Sequence, residues 1–408
     1  MIRFSPLFLR LAMRNVRRNP RRSLLTIAAI TSGLFCLIVF QALKVGLHRE
    51  MVSGTVLFET GDLQVHAAGY EPNLTGLLPL PHPQEVVEAL RRLPVEAWSE
   101  RLKSPALLLA GRRSSSVILS GIDPAAEAKV TAIASKITEG SYLGEQGGVV
   151  MGAGLASSLN AGIGDEVTLM VQGLFGRPVV KKFRIEGLFQ TELASFDRSR
   201  VYLSLADAQD FLQAEGVVTE IAVRTASTEV LGLSRRLGAE LPDDRYQVRT
   251  WQQLAPDLVQ LIELNDATMR LLVLIVFAIV ALGIVNTMTM IIYERFRELG
   301  ILAALGTRPG SIVLLITLES FFLGLISAAA GTTLGVAACL WLSSHGIDLT
   351  HFTSANQYFA SSHVIRARLL PLDLLVANLL TLATALLAGL YPAWKAIRLH
   401  PVEAIRHE

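Results

Sequence analysis

Four charged residues crowd the end of a hydrophobic run: Glu294, Arg295, Arg297 and Glu298. Glu294 and Glu298 are four apart, so on a helix they share a face. At a membrane edge such a cluster either closes a span with ordinary interfacial charge or offers a docking face to a partner. The residues that follow favour docking. Leu299–Leu305, which includes Gly300 and Ala304, is apolar but too short to cross a bilayer, and it ends at Gly306, Pro309 and Gly310. A short amphipathic segment between two spans can show one face to the membrane and another to a partner. Two further polar residues lie within apolar runs, Asn286 and Glu319, and Glu319 is the only acid deep in a span. Intramembrane carboxylates face a bundle interior or water and have a partner. A role in a substrate path and a packing hydrogen bond near Gly324 are both open, with packing favoured.

Other patterns that imitate chemistry do not hold up. Gly152-Ala-Gly154-Leu-Ala-Ser157 follows a strand-like run and opens a helix, but Ser157 stands where a dinucleotide fingerprint needs Gly or Ala. There is no G-x-x-x-x-G-K-[ST] loop to hold ATP, and no H-E-x-x-H, G-x-S-x-G or paired-Cys pattern. Cys36 and Cys339 lie inside apolar runs, and His66, His82, His345, His351 and His363 are scattered through the chain. We expect no catalytic site, no metal and no cofactor on this chain, and no nucleic-acid partner.

The elements that must carry these residues are hydrophobic spans. Leu24–Val45, Leu271–Tyr293, Ile312–Leu342 and Leu372–Trp394 are each long enough to cross a bilayer, for which about 20 apolar residues suffice. The third, with 31 residues, would measure roughly 46 Å, so it tilts, kinks or projects. Its Gly324, Gly331 and Gly335 permit close helix approach. Residues 1–22 carry seven Arg and no acid, whereas residues 46–265 carry 20 Lys+Arg against 27 Asp+Glu. The positive-inside rule keeps the N-terminus in the cytoplasm and sends the large domain outside. Arg366 and Arg368, in the expected outer loop, oppose this assignment but are outnumbered.

The expected organisation is a four-helix, one-plus-three membrane protein with a large α+β extracytoplasmic domain between the first and second spans. An amphipathic cytoplasmic helix over 1–22 leads into span one at 23–46, and the outer domain covers 47–265. Span two covers 266–293, a cytoplasmic turn 294–310 and span three 311–342. An outer loop at 343–370, span four at 371–394 and a cytoplasmic tail at 395–408 complete the chain. Within the outer domain, strands are expected at Thr60–His66, Ala106–Leu109, Ser116–Ile122, Thr219–Thr225 and Tyr246–Thr250, with helices at Pro83–Leu93, Ser227–Leu237 and Trp251–Asn265. The flanking elements read as one βαβ-type unit split by an inserted subdomain at about 121–213.

Three segments carry a resemblance. Tyr293-Glu-Arg-Phe-Arg-Glu-Leu-Gly-Ile-Leu-Ala-Ala-Leu-Gly306 resembles the signature after the second span of the FtsX-like permease family, the membrane part of type VII ABC transporters. Leu390-Tyr-Pro-Ala-Trp-Lys-Ala-Ile-Arg-Leu-His-Pro-Val-Glu-Ala-Ile-Arg406 is similar to the family's closing motif, and Leu11-Ala-Met-Arg-Asn-Val-Arg-Arg-Asn-Pro-Arg-Arg-Ser23 to its first helix. Gly154–Leu169 and Phe183–Leu212 look most like the lipoprotein-releasing LolC/LolE branch, although the hairpin Val171–Lys182 is shorter than that branch's chaperone-docking arm.

The resemblance implies an inner-membrane permease worked by mechanotransmission. Its implied partners are a cytoplasmic ABC ATPase homodimer, a second permease chain, a lipid or lipoprotein substrate, and a periplasmic chaperone or adaptor. It assigns ATPase coupling to Glu294, Arg295, Arg297, Glu298, Gly300, Ala304 and Gly306. The implied alternatives are a MacB-type efflux permease and an FtsX-type regulator of cell-wall hydrolases.

Overall fold

The computed structural model describes residues 6–18, 20–71, 77–144, 147–191, 193–225, 229–348 and 364–397. Most of the expected 343–370 loop, with His351 and His363, and the closing motif beyond Ile397 lie outside the described residues. The chain divides into two compact units: a membrane unit (Met1–Leu47, Glu263–Asp348, Ile365–Glu408) and an outer unit (His48–Ile262, Leu349–Val364).

In the membrane unit a short helix α1 (Pro6–Arg18) precedes α2 (Pro20–Thr55), whose apolar course continues as one π-helical turn, Val56–Thr60. The later helices are α10 (Pro256–Glu294), α11 (Phe296–Ala304), α12 (Pro309–His345) and α13 (Pro371–Ile397). Four of the described helices are long and apolar enough to cross a membrane: Pro20–Thr60, Pro256–Glu294, Pro309–His345 and Pro371–Ala396. With 37 residues, α12 is about 55 Å long, well beyond the ~30 Å of a hydrocarbon core.

Glycines set the helix spacing. A Cβ on Gly324 would sit 2.7 Å from that of Ala385 on α13, and one on Gly331 would be 3.1 Å from the Thr31 carbonyl of α2. At the other end of α2, Gly46 leaves room for the Arg366 carbonyl, and the Arg368 amide donates to Ala42 O at 2.9 Å. The two arginines that oppose the charge rule thus belong to backbone packed along α2, and their side chains are exposed.

The outer unit carries β1 (Leu63–Ala67), α3 (Pro83–Arg92), β2 (Ala97–Ala110), β3 (Arg113–Ile122), α4 (Pro124–Val130), β4 (Ile137–Gly140) and β5 (Gly148–Gly152). There follow α5 (Ala153–Leu159), β6 (Glu166–Gln172), β7 (Pro178–Phe189), α6 (Ala194–Asp197), β8 (Arg200–Ser204) and α7 (Leu205–Phe211). The last elements are β9 (Glu220–Arg224), α8 (Val230–Glu240), β10 (Tyr246–Thr250) and α9 (Trp251–Leu254). All ten strands form one sheet, ordered β10-β1-β9-β2-β3-β8-β5-β7-β4. Because β6 pairs antiparallel with both β2 and β7, the strands β2, β3, β8, β5, β7 and β6 close a ring.

The ring encloses a core of Leu108, Leu119, Met151, Leu169, Ile185 and Leu203, plugged by Leu155 of α5 and Phe211 of α7. Alternation along β6 puts Val167, Leu169 and Val171 inside. The boundary expected near 121 runs through β3, and residues 121–213 share their sheet with the flanking strands rather than forming one of their own. On the open part of the sheet, α3 and α8 bury Val86, Leu90, Leu233 and Leu237 against β1 and β9. Pro83 suits the first turn of α3, where its missing amide costs no bond, and Arg91 and Arg92 at the last turn suit the helix dipole.

The glycine pattern that imitated a nucleotide fingerprint is a packing device. Gly152 ends β5 and precedes α5, and a Cβ there would collide with the Asp197 backbone. Asp197 is held in place by the Thr191 hydroxyl at 2.6 Å and the Thr191 amide at 3.0 Å.

Candidate functional site

The charged cluster sits where α10 gives way to α11. The helix breaks at Arg295, whose amide splits between Ile291 O at 3.1 Å and Ile292 O at 3.2 Å. At the other end α11 stops in a Schellman turn: Thr307 N donates to Leu302 O at 3.0 Å, with Gly306 at φ 88°. Only glycine adopts that conformation without strain. Pro309 then opens α12 at its first turn. These local rules make α10–α11–α12 a tight helical hairpin.

Each charge of the cluster has its own geometry. Arg295 reaches Glu319 Oε1 on α12 at 2.9 Å and Glu298 Oε2 at 3.2 Å. The same Glu319 oxygen accepts from Asn15 Nδ2 of α1 at 2.5 Å. Glu298 also pairs with Arg18 at 2.7 Å, and Glu294 pairs with Arg22. The hydrogen bond from Arg18 is the main cause holding the Glu298 carboxyl below its ordinary range. Both signature glutamates are therefore engaged by arginines near the chain's N-terminus, Arg18 of the α1 arm and Arg22 at the start of α2, and Glu319 is only 4% exposed.

The remaining residues separate by exposure. Leu299 and Gly300 are buried, with Leu299 packed among Ile292, Ile312 and Ile316. Arg297 is exposed, as are Ile301, Leu302 and Leu305, the last at 78%. Ala304 lies within α11, and open space surrounds Gly306. Asn286 projects from the exposed side of α10 and makes no hydrogen bond among the described residues, on the same side as Gly283.

The N-terminal helix is legible in the sequence, but its contacts are not. Arg18 and Arg22 are the partners of the signature glutamates and Asn15 of Glu319, and the available signal is an arginine excess beyond what topology alone requires.

Toward the opposite end of the spans, α2, α10 and α13 enclose a cavity of about 340 Å³. Leu37, Ile38, Val273, Leu374, Ala377 and Leu380 supply apolar walls, and Lys44, Asp266, Arg270 and Asp373 supply charge. Lys44 pairs with Asp266 at 2.9 Å. Such a cavity suits an apolar tail joined to a polar head.

Comparison with known proteins fits this architecture. The family described as FtsX-like permease C-terminal matches residues 270–401, and the MacB-like periplasmic core domain matches residues 23–233, just over half of the chain. The lipoprotein-releasing system transmembrane protein LolC of Xylella fastidiosa (strain Temecula1) is 25% identical over 99% of this chain and 100% of its own length. LolE of Haemophilus influenzae is 24% identical over 96% of each chain. The macrolide export ATP-binding/permease protein MacB of Syntrophobacter fumaroxidans is 31% identical over 47% of this chain and 24% of its own.

The chain belongs to the FtsX-like permeases that carry a MacB-like periplasmic core domain. It is an inner-membrane protein with a mixed α/β periplasmic domain between its first and second spans.

Proposed function

We propose that this permease is the membrane subunit of an ABC transporter that draws lipoproteins or similar amphiphiles from the outer leaflet of the inner membrane. The observation that carries this reading is end-to-end similarity to lipoprotein-releasing permeases, 25% over 99% of the chain. The cavity between α2, α10 and α13 supports it, because a mixed apolar and charged lining matches an acylated substrate. ATP hydrolysis is assigned to a separate dimeric ATPase, a reading supported by the end-to-end match to relatives described as the transmembrane protein of a lipoprotein-releasing system. Of the coupling residues, Arg297 and the exposed apolar side of α11 meet the ATPase. Glu294, Arg295 and Glu298 hold the hairpin, while Gly300, Ala304 and Gly306 shape it. A macrolide-type export reading is second, favoured by the MacB-like core. The short turn between β6 and β7, with Phe175 75% exposed, is the contact offered to a periplasmic chaperone or adaptor.

A second permease chain covers α10. An unpaired amide in hydrocarbon is costly, so the exposed Asn286 beside Gly283 calls for a polar partner on another helix. Purification from native membranes is expected to recover an ATPase bearing a G-x-x-x-x-G-K-[ST] loop together with two permease chains. Cysteine at position 286 is expected to form a disulfide between copies if the pair is homomeric, or to the matching position of a paralogue. A chain that purifies alone, and whose position 286 reacts only with lipid-soluble reagents, would reject the paired transporter.

A further inference from the structure

We infer that the N-terminal helix α1 is a working part of the coupling unit, fastened to the α10–α11 hairpin by Glu319, a positioning residue that acts through Arg295 and Asn15. This rests on the transporter reading above and adds to it the element that moves with the coupling helix. One buried carboxylate oxygen, Glu319 Oε1, accepts from Asn15 of α1 and from Arg295 of the hairpin. Arg295 passes the contact to Glu298, which returns to α1 through Arg18. The circuit therefore closes over α1, α11 and α12, the first of them far from the other two in sequence. Meanwhile Ala12 of α1 is fully buried, so the arm is seated by packing as well as by charge.

The rungs differ in strength. Arg18 and Glu298 are 60% and 42% exposed at their side chains, and a pair of that kind is worth little. Glu319 and Arg295 are 5% and 15% exposed, and removing one partner from such a pair strands the other. The hold thus resides at Glu319, and the outer pairs set orientation. A motion that displaces α11 must carry α1 and α12 along or break both the Arg295–Glu319 and the Arg18–Glu298 contacts. The competing account is that α1 is an amphipathic anchor kept in place by lipid headgroups. In that case removing Glu319 would leave the arm where it is.

The test is amide hydrogen exchange of residues 6–18 and 296–304 in the assembled complex in nanodiscs, with release of substrate per ATP measured alongside. In the unaltered complex both segments are expected to be protected and to change in step on ATP loading. Glu319→Leu should raise exchange of residues 6–18 at least tenfold and lower release per ATP about tenfold while ATP turnover continues. Glu319→Gln, which keeps an acceptor for Asn15 and Arg295, should recover part of both. Asn15→Leu, placed on the arm outside the spans, gives the same direction of change should Glu319→Leu fail to fold. Unchanged exchange over residues 6–18 in these variants, or unchanged release per ATP, would overturn the inference and leave α1 an anchor. If the unaltered complex turns over no ATP, the transporter reading fails, while the exchange data still decide whether Glu319 holds the arm.

Discussion

Arg101→Met is expected to destabilise the periplasmic domain by about 3–5 kcal/mol, the usual cost of stranding buried charge. Arg101 is 2% exposed in the middle of β2. It grips Glu127 through two bonds of 2.9 and 2.7 Å, reaches Glu220 at 3.1 Å and donates to the Glu59 carbonyl at 2.7 Å. Lys103 adds a second contact to Glu220 at 2.8 Å, and Arg200 pairs with the Glu59 side chain. The variant would leave Glu127 unpaired and remove one of Glu220's two cations. Replacing Arg101 and Glu127 together by apolar residues should be milder than the single change, since neither is then left without its partner.

The same network makes the domain acid-sensitive in two steps. Burial pushes His66 down from 6.5 to about 4. The unfolded chain therefore takes up a proton that the folded one refuses, and stability is lost as pH falls through that window. Burial also opposes ionisation of Glu220, but Lys103 and Arg101 outweigh it and hold the carboxyl down from 4.5 to about 2. Its contribution is complete above the ordinary carboxylate range and is lost as pH falls from there toward 2. Each step is worth roughly 3 kcal/mol when complete. Denaturant titrations of the full chain in nanodiscs, followed by tryptophan fluorescence at neutral and acidic pH, should show decreasing stability in that order. A flat profile between pH 7 and 4 would refute the assignment for His66.

The second large effect concerns the coupling hairpin. Arg297→Glu combined with Leu305→Asp is expected to abolish co-purification of the ATPase. Both side chains are exposed, and Leu305 stands at the tip of the turn. Truncating an arginine hot spot at an interface costs about 2 kcal/mol or more, and Leu305→Asp adds an uncompensated charge to the same contact, so the double change lowers affinity far more than tenfold. Glu294→Lys with Glu298→Lys should behave differently, because those carboxylates already face Arg22 and Arg18. Reversal there sets like charge against the arm, and we expect the ATPase to remain bound but poorly coupled. Loss of the ATPase from the glutamate variant, with retention in the Arg297/Leu305 variant, would place docking on the other face.

The sequence makes local periodicity legible and conceals what is non-local. Hydropathy runs locate four membrane-crossing helices, and alternation finds Tyr246–Thr250 residue for residue. The first half of β2 is hidden because Glu100, Arg101 and Lys103 look like a polar loop; in the fold Arg101 is the buried centre of an ion network that the half-buried Lys103 joins. Thr60 fits the start of a strand by alternation, whereas it ends the π-helical turn that extends α2. Closure of the ring through β6 pairs Leu108 with Leu169, which no local pattern encodes.

The site shows the same division. Gly306 and Pro309 mark their turn in any reading, and Glu294 and Glu298 announce a shared helical face. Their partners do not follow from spacing, because Asn15 and Glu319 meet across 304 positions of sequence. Gly152 is the opposite case: a pattern that Ser157 already disqualifies as a phosphate cradle serves the close approach of Asp197.

The central claim is that this chain converts a partner's ATP hydrolysis into removal of an acylated protein from the membrane. The most direct measurement places the purified permease–ATPase complex in proteoliposomes with a fluorescent triacylated lipoprotein and follows its transfer to a soluble acceptor. The account predicts transfer that requires ATP and stops when the lysine of the partner's phosphate-binding loop is replaced. ATP turnover at full rate with the lipoprotein left in the bilayer would contradict it.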